Sequence, residues 1–96
     1  MRWIAIFTNK SDTKKLFEEH FQAHLTYFAN CPEISLAGSI TPKGAEHSTG
    51  GVWVIKGLDY DSAMALIKKD PFFKAGMREK IDLYSYQVAP QFENLV

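Results

Sequence analysis

His20, His24 and His47 are the side chains in this sequence best suited to moving protons near neutral pH, because a free imidazole titrates near about 6.5. His20 and His24 stand four apart, a spacing that puts both on one face of a helix, where His47 could join them around a metal ion. The intervening Phe21-Gln22-Ala23 lacks the glutamate of the zinc-protease pattern, so no metal is expected. His20 follows Glu18 and Glu19 and reads as a solvated surface residue. His47, between Glu46 and Ser48 in a glycine-rich stretch, reads the same way.

His24 is different. Phe21, Tyr27 and Phe28 lie three or four residues away and Phe17 two turns back, so its ring is expected in or along an apolar face. An imidazole there can work as an acid–base group if a carboxylate holds one ring nitrogen and steadies the imidazolium form. Asp70 is the candidate partner, since it opens a turn that can fold back over the helix bearing His24. It is equally suited to cap the turn Pro71–Ala75, with Pro71 at a first helical position. The pattern alone does not separate these roles. Asp59 and Asp61 fall at the start of a second helix and are expected to serve its cap and dipole.

Trp53, Tyr27, Phe72 and Phe73 are either core residues or walls of a pocket. Gly38, Gly50 and Gly51 permit close backbone approach, but no phosphate-cradling loop or dinucleotide fingerprint surrounds them, so no nucleotide cofactor is expected. There is no Gly-x-Ser-x-Gly elbow. Cys31, the lone cysteine, forms no internal disulfide and has no evident activating base, which favours a reducing, cytoplasmic setting. Eleven Lys and Arg balance eleven Asp and Glu, so nothing draws the chain to nucleic acid or anionic lipid. Trp3 to Phe7 is too short for a signal or membrane segment.

Residues 1–96 suffice for one domain, and the elements that must position His24 and Asp70 follow from periodicity. Arg2 to Thr8 is a strand apolar at both parities. A helix capped at Ser11 or Asp12 carries Leu16, Phe17, Phe21, His24, Leu25 and Phe28 on one stripe and stops at Asn30 and Pro32. Ile34 to Ile40 alternates as a strand, Thr41 to Gly51 forms a hairpin-like excursion, and Val52 to Ile55 is a strand apolar on both sides. A second helix buries Ala63, Met64, Leu66 and Ile67. The last strand runs from Ile81 to Tyr86, and Pro90 lies beyond it. The order β-α-β-β-α-β predicts a ferredoxin-like α+β fold with a four-stranded antiparallel sheet, its first and third strands central. Two helices cover one face of that sheet. The apolar second face calls for another copy of the chain, hence a homodimer or larger homo-oligomer.

His24-Leu25-Thr26-Tyr27-Phe28, Leu36-Ala37-Gly38, Gly51-Val52-Trp53-Val54 and Lys69-Asp70-Pro71-Phe72-Phe73-Lys74-Ala75-Gly76 together resemble the YciI-like (YCII-related) family over nearly the whole chain. The resemblance implies a dimeric α+β barrel packed sheet on sheet. It also implies a histidine–aspartate dyad carried by the His-Leu-x-Tyr and Asp-Pro-Phe elements, here His24 and Asp70. Phe21 stands where relatives often have arginine and Ser39 where they often have proline, so an anion clamp is absent from its usual place. Members with an assigned reaction include a dehydrochlorinase acting on a chlorinated hydroxyquinone.

The expected function is therefore cofactor-free acid–base chemistry by His24 and Asp70, an isomerisation, elimination or hydrolysis of a small cyclic or carbonyl-containing substrate. Tyr27, Trp53 and Phe72 would be apolar walls and Ser39 a polar handle. The alternatives are a non-catalytic small-molecule-binding or assembly module and a cofactor-independent monooxygenase.

Overall fold

Strands apolar at both parities belong inside a sheet, and in the computed structural model, which describes residues 1–96, β1 (Arg2–Asn9) and β3 (Gly50–Lys56) are the central pair. β2 (Ile34–Ile40) and β4 (Arg78–Ser85) flank them in the order β2-β3-β1-β4, with every pairing antiparallel. α1 (Lys14–Ala29) joins β1 to β2. α2 (Tyr60–Lys68) and the single turn α3 (Pro71–Lys74) join β3 to β4, and a short 3-10 turn follows at Pro90–Phe92. This is the expected ferredoxin-like α+β arrangement.

Register decides which side chains meet the helices. Ala5 pairs with Trp53 and Trp3 with Ile55, so these residues share a face with Phe7. Ala5, Phe7, Trp53 and Ile55 form the core with Ala63 and Ile67 of α2, and Tyr27, Phe28, Ile81 and Leu83 pack against it. The opposite parity brings Ile4 beside Val54 and Ile6 beside Val52. Leu36 and Tyr84 flank that group, and with Ile40 they are 52%, 54% and 41% exposed.

Leu36 and Ile40 of β2 lie on this outer face. An irregularity between Ile34 and Leu36 displaces Ile34, which pairs with Ile55 and packs against the core. α1 starts after Thr13 rather than after Ser11 or Asp12. Asp12 sits at φ 58, a left-handed conformation, whereas a capping residue normally has extended backbone. β4 begins at Arg78, three residues before Ile81, because Asn9 pairs with Arg78 past a register shift and the Lys10 N–H donates to the Met77 carbonyl at 2.8 Å. The polar run Arg78-Glu79-Lys80 hides that extension from a periodicity reading.

Asp59 caps α2 as expected, its Oδ1 accepting from the Ser62 N–H at 2.8 Å. That bond holds the Asp59 carboxyl below the usual carboxylate range. A folded-state value below the unfolded one stabilises the protein above the ordinary carboxylate range, and the contribution is lost as pH falls through the folded value. Asp59→Ala should lower the thermal midpoint at neutral pH, followed by circular dichroism. The gap to the parent should close in acid; a gap constant with pH contradicts the assignment.

Candidate active site

His24 is the one buried residue of α1, 7% exposed, on the stripe that faces the sheet and α3. Its Nδ1 lies 2.6 Å from Asp70 Oδ1, across 46 positions of sequence. A carboxylate only accepts, so the bonded tautomer carries its proton on Nδ1. Asp70 is 1% exposed. Its backbone occupies the cap position of α3, with Pro71 next, and its carbonyl accepts from the Lys74 N–H at 3.0 Å. Its side chain makes no capping bond. The two roles left open by the sequence thus divide, backbone to the turn and carboxylate to His24.

Aromatic rings fix the imidazole plane. Phe72 stacks on it at 3.8 Å between centroids with planes 16° apart, and Phe28 meets it edge-on at 4.2 Å. Nε2 bonds no protein group, yet no buried side-chain nitrogen or oxygen lacks a partner. Nε2 is therefore accessible. The space beside His24 is a chamber of about 280 Å³ walled by Phe17, Phe21, Phe28, Trp53 and Phe72, with Ser39 at its polar side. It adjoins a polar cleft of about 930 Å³ that shares Ser39 and Ser48 and includes Lys10, Lys14, Glu46 and His47.

Of the residues expected to line a site, the chamber gathers His24, Ser39, Trp53 and Phe72. Tyr27 is not among them. Its hydroxyl donates to the Leu66 carbonyl at 2.6 Å, tying α1 to α2, and burial, with the Cys31 thiol as neighbour, pushes its pKa up. At helical spacing Tyr27 and His24 looked like neighbours on one face, but three residues rotate a helix about 60° short of a full turn, enough to turn Tyr27 toward α2. His20 is a surface residue 3.9 Å from Glu19, and no group of three or more His, Cys, Asp or Glu side chains is arranged to hold a metal.

Arg78 is the residue the sequence reading missed. Its guanidinium lies 4.4 Å over the Phe7 ring and 5.5 Å from Phe72, Nη1 donates to Asn9 Oδ1 at 2.7 Å, and Nη2 is 3.9 Å from Asp70 Oδ2. Its side chain is 6% exposed and lines the chamber. Burial pulls its pKa below the ordinary arginine value and the Asp70 carboxylate pulls the other way. The sequence carries no signal for it, because the polar run Arg78-Glu79-Lys80 interrupts the alternation that marks the strand.

No protein-family model and no curated protein sequence matches the chain. Solved structures do. The 5-chloro-2-hydroxyhydroquinone dehydrochlorinase TftG from Burkholderia phenoliruptrix AC1100, in complex with 2,5-dihydroxybenzoquinone, matches with a TM-score of 0.83 at 18% identity, covering 95% of this chain and 98% of its own. SnoaB, a cofactor-independent oxygenase from Streptomyces nogalater, matches at TM-score 0.56 and 17% identity over 93% and 94%. A dimeric ferredoxin-like protein of unknown function from Thermobifida fusca YX matches at 0.51 and 18% over 91% and 89%. These likenesses show the fold, a ferredoxin-like α+β arrangement.

Proposed function

We propose that this protein is a YciI-like, cofactor-free enzyme in which His24 moves a proton on a single-ring, hydroxylated or carbonyl-bearing substrate. The observation that carries this reading is the 2.6 Å bond from His24 Nδ1 to buried Asp70, with Nε2 left accessible. Nε2 takes a proton from the ring or its hydroxyl, and Asp70 stabilises the imidazolium that forms. Returning the proton elsewhere completes an isomerisation. Departure of a leaving group, such as chloride with its electron pair, completes an elimination. General acid–base assistance of this kind contributes roughly 10² to 10⁴ in rate.

Size narrows the substrate. An apolar cavity of about 150 Å³ accepts benzene, so about 280 Å³ suits one ring with several substituents. The reaction named for TftG, removal of chloride from a chlorinated hydroxyhydroquinone, is of this type. Because SnoaB is an oxygenase, oxygenation of an electron-rich ring is the second reading.

A panel of chlorinated and unchlorinated hydroxyhydroquinones separates the outcomes. Chloride release or isomerisation that proceeds equally without oxygen supports the acid–base reading, and oxygen uptake coupled to substrate loss supports the second. Tight binding with no turnover of any member leaves a ligand-binding module and sinks both.

The outer sheet face belongs to the same proposal. Exposed Leu36, Ile40 and Tyr84 share the outer sheet parity with half-buried Ile4, Ile6 and Val52, around a Val54 that is already buried, and a second copy placed sheet to sheet buries the apolar area still open. Sedimentation should give twice the chain mass of 10.9 kDa; a stable monomer contradicts this part of the account.

A further inference from the structure

Arg78 takes no part in the proton relay as described, yet it is the one permanently charged side chain in the chamber wall. We infer that Arg78 makes the chamber a site for a ring-borne oxyanion: the ligand carries an acidic hydroxyl and is held as its phenolate or enolate against the guanidinium. This deepens the proposed function and rests on its reading of the chamber as a ring site.

A buried cation is costly unless paired, and the pairing of Arg78 is incomplete. Asp70 Oδ2 is 3.9 Å from Nη2, beyond hydrogen-bond reach, while Oδ1 of the same carboxylate is taken by His24. Asn9, the bonded neighbour, is neutral. Of the guanidinium nitrogens only Nη1 makes a hydrogen bond. Nε and Nη2 make none and still do not count as buried atoms lacking partners, so both keep accessible donor edges. Phe7 and Phe72 hold the planar group between them, and the imidazole of His24 stacks on that same Phe72 ring. A cation with free donors and an imidazole with a free nitrogen thus border one aromatic wall.

Charge arithmetic selects the ligand. With His24 neutral, Asp70 and Arg78 cancel, and a neutral acidic ligand enters at no net charge. Its hydroxyl proton passes to Nε2 and the O–H bonding pair stays on oxygen. Two pairs result, imidazolium with Asp70 and oxyanion with Arg78, so no charge is left alone in a low-dielectric site. Lys10, Lys14, Glu18, Glu46 and Glu79 border the outer cleft, not the chamber, and leave Arg78 as the charge the ring meets.

The test uses 4-nitrophenol, whose ionisation is visible in its absorption, and nitrobenzene, the same ring without the acidic group. At a pH where free nitrophenol is mainly undissociated, the protein-bound ligand should show the phenolate band and bind at least tenfold tighter than nitrobenzene. Arg78→Met should abolish the band and cost nitrophenol at least tenfold in affinity while leaving nitrobenzene within about twofold; Arg78→Lys should keep part of the preference. Equal binding of the two rings by the parent protein overturns the inference without recourse to any variant. A phenolate band that survives Arg78→Met also overturns it. Failure of both ligands to perturb the His24 ring resonances is a different result, because it removes the ring site itself and the proposed function with it.

Discussion

Replacing His24 by glutamine should lower kcat/KM on the substrate found by the hydroquinone panel by roughly 10² to 10⁴, the range for loss of a general acid–base group. Glutamine keeps a side-chain N–H able to reach Asp70, so the buried carboxylate retains a donor and the variant should still fold; alanine would strand it. Asp70→Asn should fall by a comparable factor through a different cause. An amide at position 70 can donate to Nδ1, which moves the ring proton to Nε2 and leaves no base facing the chamber. Tyr27→Phe supplies the contrast. It removes the bond to Leu66 and about 1 kcal/mol of stability, but no group that faces the chamber, so turnover should stay within about threefold. Steady-state kinetics on the three variants decide it: equal losses in all three would reduce the His24–Asp70 pair to a structural contact.

Gly50→Ala should be the most damaging single-methyl change in the protein. A Cβ at Gly50 would sit 1.9 Å from the Phe7 carbonyl oxygen, a backbone atom of the central strand that cannot swing aside. Gly50 pairs with Thr8 on one side and Ile40 on the other, so relief means opening the β1–β3 or β2–β3 ladder at the chamber's edge. Overpacking of this kind costs about 3 kcal/mol or more, a large part of the stability of a domain this size. Gly38→Ala, on the neighbouring strand, meets nothing within 4 Å and should be nearly silent in stability. Chemical denaturation of both variants checks the pair. A tolerated Gly50→Ala would mean that the strands do not approach as described.

These two glycines also show where a sequence can and cannot be read. Close backbone approach was legible as an option at Gly38, Gly50 and Gly51. It holds at Gly50 and at Gly51, whose Cβ would lie 2.9 Å from the Gly38 carbonyl oxygen, but a glycine does not announce which neighbour needs its space. The architecture was legible because two strands are apolar at both parities and two helices are amphipathic, patterns that tertiary packing reinforces. His24 stood out for its aromatic neighbours at helical spacing. Asp70 was ambiguous because capping and pairing demand the same residue type, and only the turn of its side chain separates them. Arg78 was invisible for a simpler reason: strand limits drawn from hydrophobic alternation stop at Ile81, and a buried charge breaks the alternation where the site begins.

The proposed chemistry requires one proton, carried by His24 Nδ1 and directed at Asp70, with Nε2 bare toward the chamber. Nitrogen-15 NMR of the imidazole at a pH where the ring is neutral reads this directly. The expected spectrum shows a protonated Nδ1, its hydrogen shifted downfield by the short bond to a carboxylate, and an unprotonated Nε2; Asp70→Asn should invert the pattern. A neutral ring protonated at Nε2 in the parent protein, or one exchanging freely between tautomers, would contradict the proposed chemistry.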